Sequence, residues 1–226
     1  MIQGSSLLRL PGMGGLLVGY ALSVIADTSV YIVFAVWAKQ LTGSTAGAGL
    51  VFFCFIIPSL ISPLTGNIID HFRKDSTIVL INLFMAASIL SLYFSHEQHQ
   101  YILLLVSAFI YGLGYVIFNS ARVCLVVNSY DEQHIGQINA LLRTLRESVR
   151  LVAPLFGVYV YTVFGNHVFV WFVSLSLILS AFLFLNFEKK SNDYSTGKVS
   201  LFSLRGLWNG AQGIWYDTMT HLFAPV

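Results

Sequence analysis

Charge is what this sequence has least of: 10% of its 226 residues are charged, 56% are hydrophobic, and the mean hydropathy is +0.75. A soluble domain carries roughly 25% charged residues, so the chain lacks the polar material to coat a water-facing surface. The same scarcity of charge, joined to high hydrophobicity, excludes a disordered tail. Cysteine is scarce too. Cys54 and Cys124 are the only two, both in apolar runs, which excludes a disulfide scaffold and reads as two small buried side chains. The net charge is only +2, and no basic stripe with interleaved aromatics of the kind that binds nucleic acid is present. The histidines His71, His96, His99, His134, His167 and His221 fall in loops, at span ends or in the tail, and the pair His96 and His99 has no third ligand nearby. No enzyme, metal site or cofactor is expected. What remains is an integral membrane protein.

Long apolar runs are what the sequence has in abundance. A bilayer core of ~30 Å needs ~20 mostly apolar residues per helix. Six stretches qualify: Leu16 to Trp37, Ala46 to Ile69, Thr77 to Ser95, Tyr101 to Val127, Ile135 to Phe164 and Val168 to Phe187. The first is too long for a signal peptide and carries Asp27 at its centre. None alternates over its length as a barrel strand does. The expected fold is an all-α membrane protein with six transmembrane helices.

Lys and Arg set the expected orientation. With the N-terminus inside, the cytoplasmic segments hold Arg9, Arg73, Lys74, Lys189, Lys190, Lys198 and Arg205, and the outer loops hold only Lys39. That positive-inside bias places both termini in the cytoplasm and the chain in the plasma membrane. The outer loops, around Thr42 to Thr45, His96 to Gln100 and Gly165 to His167, are too short to form an extracellular domain.

Charge inside hydrocarbon marks function, because each such group costs ~3 kcal/mol on insertion scales unless it faces a cavity or a partner. Spans 2, 3 and 6 carry none, and spans 1, 4 and 5 hold them all. In span 5, Gly136, Asn139, Arg143, Arg146, Glu147, Arg150, Pro154, Gly157 and Tyr161 fall on one stripe roughly 100° wide. Glu147 is one turn from both Arg143 and Arg150, so a buried network is expected around Glu147 and Arg150. Arg143 and Arg146 either join it or snorkel to the headgroups. The cluster is net positive and calls for an anionic partner.

Span 1 places Tyr20, Ser23, Asp27 and Tyr31 on one face, with Asp27 near the bilayer midplane. A lone carboxylate at that depth is desolvated and is a natural proton carrier, or it forms a fixed ion pair with Arg122 or Arg150. Span 4 puts Tyr111, Tyr115, Asn119 and Arg122 near one face, an aromatic row that reads first as packing.

The loop GNIIDHFRK, Gly66 to Lys74, resembles the signature loop of the major facilitator superfamily, which follows helix 2 on the cytoplasmic side. The match rests on Gly66, Asp70, Arg73 and Lys74, with His71 where the family usually carries arginine. In span 5, Ala153, Pro154 and Gly157 resemble part of the antiporter motif of drug and proton exchangers, with Ala153 and Val158 standing in place of glycines. The Asp27 context, LTGS at Leu41 to Ser44 and INALLRTLRESV are most similar to the macrolide and siderophore efflux branch. The resemblance implies alternating access, in which two six-helix halves rock around a midplane site. It also implies that helices 3 and 6 are peripheral while 1, 4 and 5 approach the cavity. On this reading Asp27, Arg146, Glu147 and Arg150 form the proton or substrate site, Gly66, Asp70, Arg73 and Lys74 a cytoplasmic gate loop, and Ala153, Pro154 and Gly157 an antiporter-like element. The implied partners are the lipid bilayer, protons and a small amphipathic substrate, exported as protons enter.

Residues 1–190 are then the N-terminal six-helix bundle, and residues 191–226 a cytoplasmic tail similar to the central loop before helix 7. Such a chain is either truncated or a half that pairs with a second six-helix half or with a copy of itself. A non-transporting membrane fragment or interaction protein would share the topology and be indifferent to Asp27.

Overall fold

A computed structural model describes residues 10–61, 74–94 and 99–191, and every regular element among them is helical. The elements are α1 (Met13–Thr42), α2 (Thr45–Ile56) with a 3₁₀ turn at Ile57–Ile61, α3 (Lys74–Ser91) with a 3₁₀ turn at Leu92–Phe94, α4 (Gln100–Ser129) and α5 (Glu132–Ser191). Four helices are long and apolar enough to cross a membrane: Met13–Thr42, Thr77–Phe94, Gln100–Ser129 and Glu132–Leu185. Thr45–Leu60 is a shorter apolar helix. Spans 5 and 6 of the sequence reading are thus one run of helical residues, and span 2 is described only as far as Ile61.

The helix ends follow from local chemistry. Gly43 closes α1 in the left-handed region (φ 67°), its N–H donating to Lys39 O at 2.9 Å, a conformation that glycine adopts without steric cost. Ser44 then caps α2, its hydroxyl accepting from the Ala46 N–H at 3.1 Å, so two residues suffice to reverse the chain. Just past α2, Pro58 has no N–H to donate back along the helix, and α-geometry gives way to the 3₁₀ turn Ile57–Ile61 there.

A straight helix as long as α5 would reach ~90 Å, about three bilayer cores. Gly165 breaks it with φ 85° and ψ 176°, backbone that is essentially reserved for glycine. The two arms, 132–164 and 166–191, run in opposite directions along α1. In the first, Ala153 meets Ser29 and Tyr161 meets Gln40; in the second, Ser180 meets Ser23 and Phe184 meets Gly19. Gly165 is therefore the tip of a helical hairpin wrapped on α1.

Apolar packing forms two layers. One gathers Val30, Phe34 and Trp37 of α1 with Leu104, Tyr111, Tyr161 and Phe169. The other gathers Leu16, Tyr20 and Val24 with Ile78, Phe118 and Phe184. Asp27 lies in the α1 turn between Val24 and Val30, at the level where the layers meet.

Where helices press closest, a glycine admits the neighbour. A Cβ built on Gly157 would stand 2.6 Å from the Ser29 side chain, and one on Gly112 would collide with the Phe55 carbonyl. A separate polar knot pins α1, α3 and the second arm of α5: the Ser180 hydroxyl donates to Gly19 O at 2.8 Å and accepts from Asn82 Nδ2 at 3.2 Å and from Ser23 Oγ at 2.8 Å. All three side chains are buried.

Candidate functional site

A cavity of about 430 Å³ opens between α1, α2, α4 and the first arm of α5. That volume falls within the range of small-molecule sites, roughly 300–1,000 Å³. α1 presents Tyr20, Asp27 and Tyr31 to it, one turn or two apart on a single face. α4 adds Tyr115 and Asn119, and α5 adds Arg146, Arg150 and Pro154. α2 and its 3₁₀ turn add Phe55, Ile56 and Ser59, which carry no charge and so gave no signal in a search for charge in the membrane. Neither α3 nor the second arm of α5 lines the cavity.

Asp27 is 8% exposed, and its Oδ1 accepts a hydrogen bond from the Tyr111 hydroxyl at 2.9 Å. Among the described residues it has no ion-pair partner within 4 Å, so the alternative of a fixed pair with Arg122 or Arg150 is not the arrangement formed. The reason is geometric. Arg122 lies over the Tyr20 ring, 4.9 Å from its centroid, where a cation–π contact holds it, and Arg150 faces Glu147. Tyr111, expected to pack, is the residue that meets the carboxylate.

Glu147 is shared between two guanidiniums, Oε1 3.1 Å from Arg146 Nε and Oε2 3.8 Å from Arg150 Nη1. The expected network exists but it is not buried, because the Glu147 and Arg150 side chains are 53% and 50% exposed. They occupy the open flank of the α5 stripe, beside exposed Leu151 and Leu155. Arg146 and Arg150 line the cavity and Glu147 does not. Arg143 is exposed and also stands outside the lining.

The antiporter-like residues meet α1. Ala153 O accepts from the Ser29 hydroxyl at 3.3 Å, Gly157 gives Ser29 room to approach, and Pro154 lines the cavity. Of the gate-loop residues, Gly66, Asp70 and Arg73 lie outside the described residues, and Lys74 is the first residue of α3. His96 and the tail 192–226 also lie outside them.

Several aromatic rings gather around Phe55 on the cavity wall, while Tyr20 lines it beside Arg122. Tyr31 is 5.4 Å from Phe55, which is itself 5.8 Å from Tyr111 and 6.3 Å from Tyr115. Elsewhere on the wall stand the Arg146 and Arg150 guanidiniums and Asn119.

No curated protein matches the chain. The family profile described as Major Facilitator Superfamily matches residues 16–224, nearly the whole sequence. With its long apolar helices and a profile match over nearly its whole length, the chain belongs to the major facilitator superfamily of membrane transporters.

Proposed function

We propose that this chain forms one six-helix half of a proton-coupled transporter that exports small amphipathic compounds across the plasma membrane. The observation that carries the reading is Asp27: a titratable carboxylate midway along α1, held by a neutral hydroxyl and open to a cavity otherwise lined by aromatic, aliphatic and cationic side chains. A carboxylate partnered in this way can take and release a proton without breaking an ion pair, which is what a proton site in a membrane requires. Export is the direction implied by the resemblance to the macrolide and siderophore efflux branch. Gly66, Asp70, Arg73 and Lys74 serve as the cytoplasmic gate loop, and the Ser29 contact with Ala153 and Gly157 couples α5 to α1.

Six crossings follow when each arm of α5 counts once and α2 with its 3₁₀ turn counts as one. The Lys and Arg distribution then puts both termini in the cytoplasm. The exposed flank of α5 beside the cavity, at Arg150, Leu151 and Leu155, is where the other wall fits, supplied by a second six-helix half or a second copy.

Protection of cells against a panel of toxic amphipathic compounds tests the function. Protection should vanish when a protonophore collapses the proton gradient and when Asp27→Asn is introduced into the active assembly. Protection that survives both rejects proton coupling. Topology is tested by placing a single cysteine at Asn166 after replacing Cys54 and Cys124. Labelling by an impermeant maleimide from outside the cell is expected, and labelling only from the cytoplasmic side reverses the orientation.

A further inference from the structure

The polar end of the cavity holds more cationic than anionic charge, and its donors are largely unused. Among the described residues Glu147 is the one carboxylate within 4 Å of Arg146 and Arg150, and Asp27, which lines the same cavity, is hydrogen-bonded by Tyr111. Among the described residues Arg146 makes a single hydrogen bond, through Nε, and Arg150 makes none. Behind the Tyr20 ring, Arg122 is 9% exposed and its buried Nε has no hydrogen-bond partner. Two guanidiniums thus line the cavity with a third, Arg122, behind them, while of the two carboxylates nearby only Glu147 pairs with a guanidinium among the described residues. A guanidinium carries five donors in a planar fork that matches carboxylate, sulfonate or phosphate oxygens. The far end of the same chamber is the Tyr31 and Phe55 wall with Ile32 and Ile56.

We infer that the compound carried is an amphipathic anion, its charged head on Arg146 and Arg150 and its apolar or aromatic body against Tyr31 and Phe55. The inference rests on reading this cavity as the substrate site; it does not depend on the direction of transport or on Asp27 as the proton site. A cation of the same shape would meet two guanidiniums and lose.

Two ligands of matched shape and opposite charge test this: naphthalenesulfonate and naphthylmethylammonium, titrated calorimetrically against the full chain in phosphatidylcholine nanodiscs. The sulfonate should bind more tightly by about tenfold or more, the scale of a charge-assisted hydrogen bond. Arg150→Gln should remove most of that preference, and Arg150→Lys should keep more of it, since a point charge survives without the fork. Equal binding of the two probes, or tighter binding of the ammonium, overturns the inference. So does a preference left unchanged by both Arg150→Gln and Arg146→Gln. An anionic lipid headgroup shares the chemistry, so the titration is repeated in nanodiscs containing phosphatidylglycerol. Undiminished sulfonate affinity there supports a soluble substrate, and loss of binding assigns the guanidiniums to lipid and overturns the substrate claim. Transport that ignores the proton gradient would sink the coupling mechanism and leave this charge preference standing, so the two readings fail separately.

Discussion

Tyr111 reaches across from α4 to place its hydroxyl 2.9 Å from Asp27 Oδ1, so the buried carboxylate of α1 is met by a neutral donor and not by a guanidinium. The carboxylate's environment is therefore set by one side chain that can be removed with almost no change of shape. Tyr111→Phe keeps the ring against Phe55 and deletes only the donor. It should lower thermal stability in detergent by about 1.5–3 kcal/mol, the range for a hydrogen bond to a charged group. In an Asp27→Asn background the same change should cost less, because the neutral amide leaves a weaker bond to lose. Equal costs in the two backgrounds would show that Asp27 does not depend on Tyr111.

Of the glycines where α1 and α5 meet, Gly157 leaves the least room, a built Cβ standing only 2.6 Å from the Ser29 side chain against 3.2 Å between Gly19 and Phe184. Gly157→Ala therefore forces the helices apart or the serine aside, and overpacking of this kind costs about 1–3 kcal/mol. Trimming the opposing residue should restore the fit. The double variant Gly157→Ala with Ser29→Gly is expected to recover much of the loss, less the Ser29 hydrogen bond to Ala153 O and the added glycine in α1. Additive losses in the double variant would mean that the helices do not cross there.

Ser180 carries the knot between α1, α3 and the second arm of α5. Ser180→Ala strips Gly19 O, Asn82 Nδ2 and Ser23 Oγ of a partner at once, whereas Ser23→Ala removes one bond and leaves Ser180 with two. An orphaned buried polar group costs about 1–3 kcal/mol, so Ser180→Ala should be clearly the more destabilising of the two. Thermal melting of both variants in one detergent decides it, and an equal or reversed order would break the assignment of Ser180 as the hub.

How much of this is legible in the sequence depends on what kind of interaction is at stake. The all-helical membrane character is, because long apolar runs are a local signal, and the breaks at Gly43 and Gly165 fall where short loops were expected. Asp27, Arg146 and Arg150 stood out because charge in an apolar segment is conspicuous, and the cavity lining includes all three. The partner of Asp27 was not legible. Sequence spacing sees pairs within a helix, such as Glu147 with Arg150, but α1 and α4 are 84 residues apart at the Asp27 and Tyr111 contact and only their packing brings them together. The same blindness hid Phe55 and Ile56, whose apolar side chains look like any lipid-facing residue, and the Ser23, Asn82 and Ser180 knot, whose members are uncharged. Exposure of Glu147 was misjudged for a different reason: helical periodicity assigns residues to one face but does not say whether that face is covered.

Glu147 is half exposed and sits outside the cavity lining, yet it is the carboxylate that faces both guanidiniums at the cavity's polar end. Exposed ion pairs contribute about 0–1 kcal/mol, so Glu147→Gln should leave the melting temperature nearly unchanged. Its electrostatic consequence is larger than its structural one. Removing the shared countercharge leaves Arg146 and Arg150 facing an incoming anion uncompensated, and naphthalenesulfonate should bind about threefold or more tightly as a result. The gain should shrink as salt rises, because charges this open to solvent are screened over about 10 Å at 0.1 M ionic strength. A stability loss above ~2 kcal/mol with no gain in affinity would instead make Glu147 a structural brace for the first arm of α5.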